Sequence, residues 1–563
     1  MKAGETTLQK LLNTSRQFIV PIYQRSYSWE KEQYSQLWRD VLQAGSFEAG
    51  QTHFIGSVVY IDAGTPAGRP QQLMLIDGQQ RLATLSLLIC ALRRCLEQKR
   101  LPSRLLNPAK LGNQFLFNAD ETDEDRYKLL LGGQDRKTYI SLLNKTEYTL
   151  SEPSTRLMEC WLFFNRELAE HLGELELIYR GILKLSLVSI SLDKNTDNPQ
   201  RIFESMNSTG KDLSQADLLR NFFLMDLDIH EQKRLYTTYW QPMEKSFGQK
   251  LYPDRFDYFL RDFLTIERGG GICRINDVYE VFKRFYAAGS QTKETLLKKL
   301  FIYARYYTFI MLDKEPDREL NALWRQIKAV DSGVSLPFLL QLYRDYDRDI
   351  LAKADLISMV QMTVSYLVRR ALCYLPSNAL SRVFASLYIK LDKNSYAGSL
   401  AKLYITMGDS SIFPTDYQVR ENLLSRDVYH FRLRDYLLQS LENHHHKEPI
   451  DFEAAKYSVE HIMPQNSELN ADWQAMLGQN WQEVQKLYLH TLGNLTLTGY
   501  NSELSDKSFE QKQNGPAGFK RSHLLLNRYP AQCSKWDKEE IIKRTHLLTD
   551  AVLSIWQYPD CKK

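Results

Sequence analysis

Several common chemistries have no residues to carry them in this sequence. It has no Cys-x-x-Cys pair, and its seven cysteines (Cys90, Cys95, Cys160, Cys273, Cys373, Cys533 and Cys561) are scattered and odd in number. That argues against a disulfide framework and a structural zinc site, and it fits a reducing cytoplasm. The best apolar run, residues 82–92, is interrupted by Thr84 and Ser86. It falls well short of the roughly 20 residues that cross a bilayer. MKAGETTLQKLL lacks an apolar stretch of signal-peptide length. No internal repeat or low-complexity tract is evident. Gly269-Gly270-Gly271 is too short and wrongly spaced for a phosphate loop and reads as a hinge or loop. One-signed charge is missing too: the formal net charge is +4, which permits a polyanionic partner without demanding one. The expectation is a soluble, cytoplasmic protein with no membrane partner.

At 563 residues the chain is too long for one core, so several domains are expected. The N-terminal part mixes strands and helices. Strands are predicted over 53–61, 73–76 and 185–192. Helices are predicted over 30–43, with Tyr34, Leu37, Trp38, Val41 and Leu42 on one face, and over 81–96. From about residue 220 to 440 the pattern is nearly all helical, with helices over 231–240 (stopped by Pro242), 296–312, 318–330, 351–372 and 378–391. His444-His445-His446 reads as a solvated junction. The composition shifts again near residue 448.

The densest chemistry follows that shift. Glu460-His461-Ile462-Met463-Pro464 precedes Gly493-Asn494-Leu495 and Asn501. Phosphodiester hydrolysis needs a histidine to take a proton from water, an ion to hold the scissile phosphate, and oxygen ligands for that ion. His461 is the candidate base. Glu460, Asn494 and Asn501 are candidate ligands of one Mg²⁺ or Mn²⁺, with Asn494 holding the histidine or the ion. Adjacent strand residues face opposite ways, so Glu460 and His461 share an ion only if the strand ends or kinks there. Pro464 supplies a reason for a break. Residues 501–509 read as a helix start capped by Ser505, and Lys507, Lys512, Lys520 and Arg521 supply charge for phosphates. In this order the residues resemble the HNH, or ββα-metal, nuclease motif. Two departures, Glu at 460 for the commoner Asp and Asn at 501 for His, bear on the ligand set more than on the reaction.

A second constellation is LMLIDGQQRLATL. A buried strand ends at Asp77, Gly78 allows a tight turn, and Gln79, Gln80 and Arg81 open a helix. Free backbone N–H groups and a helix N-terminus favour an anion there, and the Arg81 guanidinium suits phosphate. Tyr23, Gln24, Arg25 and Trp29, in IVPIYQRSYSW, are candidates for a pocket that holds a nucleotide or an extruded modified base; Tyr27 and Trp29 serve equally well as core. In FESMNSTGKDLSQADLLRN, Glu204, Asn207 and Arg220 invite a site reading. The turn at 207–210 and a helix-start box at Ser214 and Asp217 favour a structural one.

These boxes, with HFIGSVVY at 53–60, stand in the order seen in the GmrSD-type modification-dependent restriction enzymes. The N-terminal series resembles their ParB/sulfiredoxin-like domain, and LGNLTLTGYNSELSDKSF resembles their second half. The resemblance implies an α+β chain of three parts: a ParB-like sensor over 1–225, a helical linker over 226–445 and an HNH nuclease over 446–563. It implies binding and hydrolysis of GTP or ATP at Asp77–Arg81, and cutting of modified phage DNA in anti-phage defence. A homodimer would suit double-strand cutting with one site per chain. Two alternatives remain: a phosphorothioate-sensing DNA nickase, and an NTP-dependent DNA-binding switch with an inactive HNH fold. RNA is a weaker candidate substrate, since no RNA-recognition signature is present.

Overall fold

The computed structural model describes residues 1–64, 68–99, 106–193, 197, 202, 213–225, 227–331, 333–452, 454 and 456–560. Glu204 and Asn207 lie outside them. The chain divides into two compact units, Met1–Leu260 with Arg274–Phe301, and Arg261–Cys273 with Ile302–Lys563.

The first unit is built on a mixed sheet of strands β1 (Lys2–Thr7), β2 (Arg16–Ile19), β3 (His53–Asp62), β4 (Gln71–Asp77), β5 (Leu129–Leu130) and β6 (Leu185–Leu192). Their spatial order is β1-β6-β3-β4-β2-β5. β4 lies inside the sheet, which explains its unbroken apolar run: Leu75 and Ile76 are fully buried, as are Val58 and Val59 of β3. The helix Gln79–Lys99 follows β4 and is buried almost all round, with Leu82, Leu85, Leu88, Ile89 and Leu92 sealed from solvent. A helix apolar on every side belongs in a core, and each such side chain contributes about 1.5–3 kcal/mol. The predicted helix over 30–43 is Lys31–Ser46, with Tyr34, Leu37, Trp38 and Val41 buried. β1 has no sequence signal: KAGETT is polar, mostly exposed and held at the sheet edge by antiparallel pairing with β6.

Pro242 does not end a helix. Ile229–Leu235 runs through a π-helical turn, Tyr236–Trp240, into Gln241–Glu267, which is itself broken by a kink at Gly248 (φ +77°). The π-helical turn directly before Pro242 is the local distortion of the helical ladder that accommodates the proline.

The second unit is mostly helical. Arg318–Val330 forms as predicted, and the predicted helix over 351–372 is Lys353–Leu372. A two-stranded antiparallel sheet, β7 (Ser458–His461) and β8 (Leu495–Thr498), follows further on. Beside it lies a core of Ile462, Met463, Trp473, Phe509 and Trp536. After β8 come the short helices Asn501–Leu504 and Phe509–Asn514. Ser505 ends the first with φ at +35°, rather than opening a helix. Ser508 caps the second through a reciprocal box with Gln511. His446 is not simply solvated: its Nε2 lies 2.7 Å from Oε1 of the fully buried Glu442. The architecture is mixed, helix-rich with two sheets, and compatible with the α+β class. No described helix is long and apolar enough to cross a membrane.

Candidate active site

β7 and β8 pair in the register Glu460↔Thr496 and His461↔Leu495, and the ladder continues through Ile462 N to Asn494 O at 2.9 Å. Past His461 the chain turns through Ile462, Met463 and Pro464. Two amides lock that turn. Asn494 accepts from Met463 N at 2.8 Å and Trp536 Nε1 at 3.1 Å, and donates to Met463 O at 3.1 Å and Leu489 O at 2.9 Å. Gln485 donates to Pro464 O at 2.9 Å and Asn466 O at 2.8 Å. Gly493 is required because the helix Lys538–Ile555 passes so close that a Cβ would lie 2.2 Å from Ile541 O. Arg544 of that helix, fully buried, donates to Gly493 O and Leu495 O, both at 2.7 Å. Burial draws its guanidinium down to about 10, with carbonyls rather than a carboxylate around it.

The strand pleat separates the two residues that open the motif. Glu460 is turned into the interior, where Lys512 Nζ lies 2.5 Å from its carboxylate and 2.7 Å from His461 O. Burial raises the Glu460 pKa against the pull of Lys512, and burial lowers that of Lys512 against the pull of Glu460. His461, also buried, presents its ring to other partners. Its Nε2 is 3.1 Å from His490 Nδ1 and 3.3 Å from Gln465 Nε2, and Tyr429 packs on it with ring centroids 4.5 Å apart. Burial first, then the nearby charges of His490, Lys512, His430 and Arg434, push its pKa down to about 3. The imidazole is therefore neutral at physiological pH.

Glu460 and Asn494 do not fit the metal-ligand roles expected of them. The Glu460 carboxylate is engaged by a buried lysine, and the Asn494 amide already uses all four of its hydrogen-bonding positions. Asn501 stands at the surface, with Nδ2 donating to Val459 O at 3.1 Å. Lys512 is equally unavailable to phosphate. Lys507, Lys520 and Arg521 remain exposed. The ring of His461 instead meets Tyr429, Gln465 and His490, none of which the motif singles out. Only Gln465 adjoins it in the chain, so only that partner is within reach of a reading by spacing.

In the first unit, β4 ends at Asp77, and Gly78 takes φ of +90° with a would-be Cβ 2.9 Å from Ser57 O. Only glycine fits that turn. Arg81 Nη1 donates to Ser57 O at 2.8 Å. Burial lowers the pKa of Arg81, which Asp77 partly restores, and burial likewise lowers that of Arg25, which Asp217 and Asp77 partly restore. Burial raises that of Asp77, opposed by the Gly78 N–H and by Arg81 and Arg25. Asp77, Arg81 and Arg25 thus form one electrostatic group. Gln24 and Gln80 hold backbone instead: Gln24 donates to Ile76 O at 3.0 Å, and Gln80 bridges Ser28 N at 2.8 Å and Ser26 O at 3.2 Å. Tyr23 is buried and its carbonyl accepts from Arg220 Nε at 2.8 Å, while Trp29 packs against the core. Arg220 is further tied to Asp217 at 2.6 Å and Glu244 at 2.5 Å. Two buried amides stand out. Gln79 Oε1, and both polar atoms of the Asn221 side chain, have no hydrogen-bond partner among the described residues.

Two stretches of the chain match known families. Residues 8–224 match "GmrSD restriction endonuclease, N-terminal domain", and residues 413–551 match "GmrSD restriction endonucleases, C-terminal domain". No curated protein matches the chain.

Proposed function

The chain belongs to the GmrSD restriction endonucleases, and from that premise we propose that it is a modification-dependent DNA endonuclease governed by a bound nucleoside triphosphate. The observation that carries the reading is the seat of His461: a neutral imidazole at the end of β7, on a turn clamped by Asn494 and Gln485, beside a polar cluster. Two paired strands followed by short helices are the parts of an HNH unit; here the helices Ala471–Leu477 and Trp481–Tyr488 are inserted between β7 and β8. In the reaction, a water oxygen bonds to phosphorus as His461 takes a proton of that water, and the bond from phosphorus to the leaving sugar oxygen breaks, that oxygen taking a proton from solvent. A pKa near 3 makes a weak base in the free chain. Burial is the first cause of that low value and the positive neighbours the second; a phosphate docked beside the ring offsets the second and so raises the pKa from its free-chain value. Exposed Lys507, Lys520 and Arg521 are suited to the flanking phosphates. A divalent ion, Mg²⁺ or Mn²⁺, belongs to the proposal, but Glu460 and Asn494 are not its holders.

The N-terminal domain, ParB-like in this reading, takes GTP or ATP at Asp77, Gly78, Gln79 and Arg81, with Arg25 adjoining. Half-buried charge around a glycine turn at a helix start suits a polyphosphate, and the unpartnered amide oxygen of Gln79 in the first turn of that helix is what a donor group of a bound ligand would satisfy. The parts assigned are sensor over 1–225, linker over 226–445 and cutter over 446–563, in a cytoplasmic protein that pairs as a homodimer to cut both strands.

The test is incubation of the purified chain with glucosylated hydroxymethylcytosine DNA, phosphorothioated DNA and plain DNA, with and without GTP or ATP and Mg²⁺ or Mn²⁺. NTP-dependent cleavage of base-modified DNA, with plain DNA left intact, is expected. Nicking confined to phosphorothioated DNA would replace this reading with a phosphorothioate-sensing nickase. Absence of any nicking would end the endonuclease assignment, and full activity in His461→Ala would remove His461 as the proton acceptor.

A further inference from the structure

We propose that Asp427, His430 and His490 form a binding site for a divalent transition-metal ion, one hydrogen bond away from His461. One ligating atom from each of the three side chains falls within 4.8 Å of the other two. Ligands about 2.0–2.2 Å from a common ion lie up to about 4 Å apart, so a small closure completes the site.

The backbone holds these residues together although they are distant in sequence. His490 O accepts from Val428 N at 2.8 Å and from Tyr429 N at 3.3 Å, stitching the 427–430 loop to the turn before β8. The Tyr429 ring stacks on His490 at 5.3 Å with 16° between planes. Arg434 fixes Tyr429 from behind, donating to its carbonyl at 3.0 Å and sitting 5.0 Å over its ring. Asp427 accepts from His430 N at 3.0 Å, and its other oxygen lies 2.9 Å from His430 Nδ1. The donors are thus pre-positioned by contacts that need no ion.

The donor set selects the cation. Two imidazoles and one carboxylate suit Mn²⁺, Fe²⁺, Co²⁺ or Zn²⁺, whereas Mg²⁺ prefers oxygen ligands. Three protein ligands leave positions open for water and a phosphate oxygen, as catalytic sites do and closed structural sites do not. Asp427 and His430 are exposed and His490 is half-buried, so the open side faces solvent. His490 also contacts His461 through its Nδ1, 3.1 Å from His461 Nε2. An ion here would adjoin the proton acceptor and stand apart from Glu460, which lies with Lys512. The assignment of this ion to cleavage rests on the endonuclease reading; the existence of the site does not.

The test is isothermal titration of the full chain with MnCl₂, ZnCl₂ and MgCl₂, paired with the electron paramagnetic resonance signal of Mn²⁺. One Mn²⁺ or Zn²⁺ per chain is expected, bound more tightly than Mg²⁺. The dissociation constant should rise by more than about tenfold, the low end of what losing even an outer partner costs, in His490→Gln and in the exposed-side variant Asp427→Asn/His430→Asn. It should stay unchanged in Asn501→Ala and in Glu460→Leu/Lys512→Met, which removes both members of the buried pair. Circular dichroism melts confirm that the exposed-side variant folds. No saturable Mn²⁺ or Zn²⁺ binding, or binding that survives both ligand variants, would overturn the site. Ion binding that follows this pattern in a chain that cuts no DNA would support the site and sink only the endonuclease reading. Cleavage that is lost in Asn501→Ala and intact in His490→Gln would refute this ion's place in the reaction.

Discussion

The Nζ of Lys512 lies 2.5 Å from the carboxylate of Glu460, and both side chains are sealed from solvent. The contact joins β7 to the helix Phe509–Asn514, so a residue that the motif offers for chemistry acts as a brace. Removing one partner leaves a buried charge uncompensated. Lys512→Met should cost about 3–5 kcal/mol, and Glu460→Leu/Lys512→Met should recover most of that loss. Denaturant melts of both variants decide it; a single variant costing less than about 1 kcal/mol would remove the brace.

Asn494 makes the same point for a neutral group. Its amide satisfies Met463 on both sides, and Met463 is fully buried. Asn494→Ala should destabilise the second unit by about 2–4 kcal/mol, since buried backbone groups lose their partners. Where the protein still folds, cleavage should fall while Mn²⁺ affinity holds. Lost affinity with normal stability would restore Asn494 as a ligand.

Arg81 is held to Ser57 O at 2.8 Å and shares its surroundings with Asp77 and Arg25. Arg81→Ala should weaken GTP or ATP binding by about 1.5–3 kcal/mol, the range for a hydrogen bond to a charged group. Turnover assays with each nucleotide check it, with His461→Ala as a control that should retain hydrolysis. Unchanged turnover in Arg81→Ala would take this box out of the nucleotide site.

Asp262 gives a pH dependence unconnected with either site. It is buried beside Arg261, and one of its carboxylate oxygens has no hydrogen-bond partner among the described residues. Burial raises its pKa from 3.8 to about 7 against the pull of Arg261. Between those values the folded state holds a proton that the unfolded state has released. Stability from this group is therefore full below about pH 4, falls as pH rises toward 7, and is level above. From pH 5 to pH 8 the loss should be about 3 kcal/mol, at roughly 1.4 kcal/mol per unit. Urea melts of Asp262→Asn should lack that component. Parallel curves for the two proteins across this range would refute the shift.

Sequence alone delivered the periodic elements and the local turns. The helix Lys31–Ser46 and the strands β3, β4 and β6 follow from patterns of apolar residues, and the Asp77-Gly78 turn from its residue types. His461 was legible because its neighbours stand at fixed spacing, and the resemblance of both ends to one family was legible for the same reason. Pro242 and Ser505 misled because a residue type that breaks or caps a helix does so at either end, and only neighbouring backbone decides which. The partners of each functional side chain were a matter for the tertiary structure. The pleat of β7 sends Glu460 to Lys512 and His461 toward His490, and the fold brings Asp427 and His430 to that side from outside the motif. Side-chain direction and hydrogen-bond saturation are three-dimensional quantities, so a motif can single out a candidate histidine without naming what surrounds it.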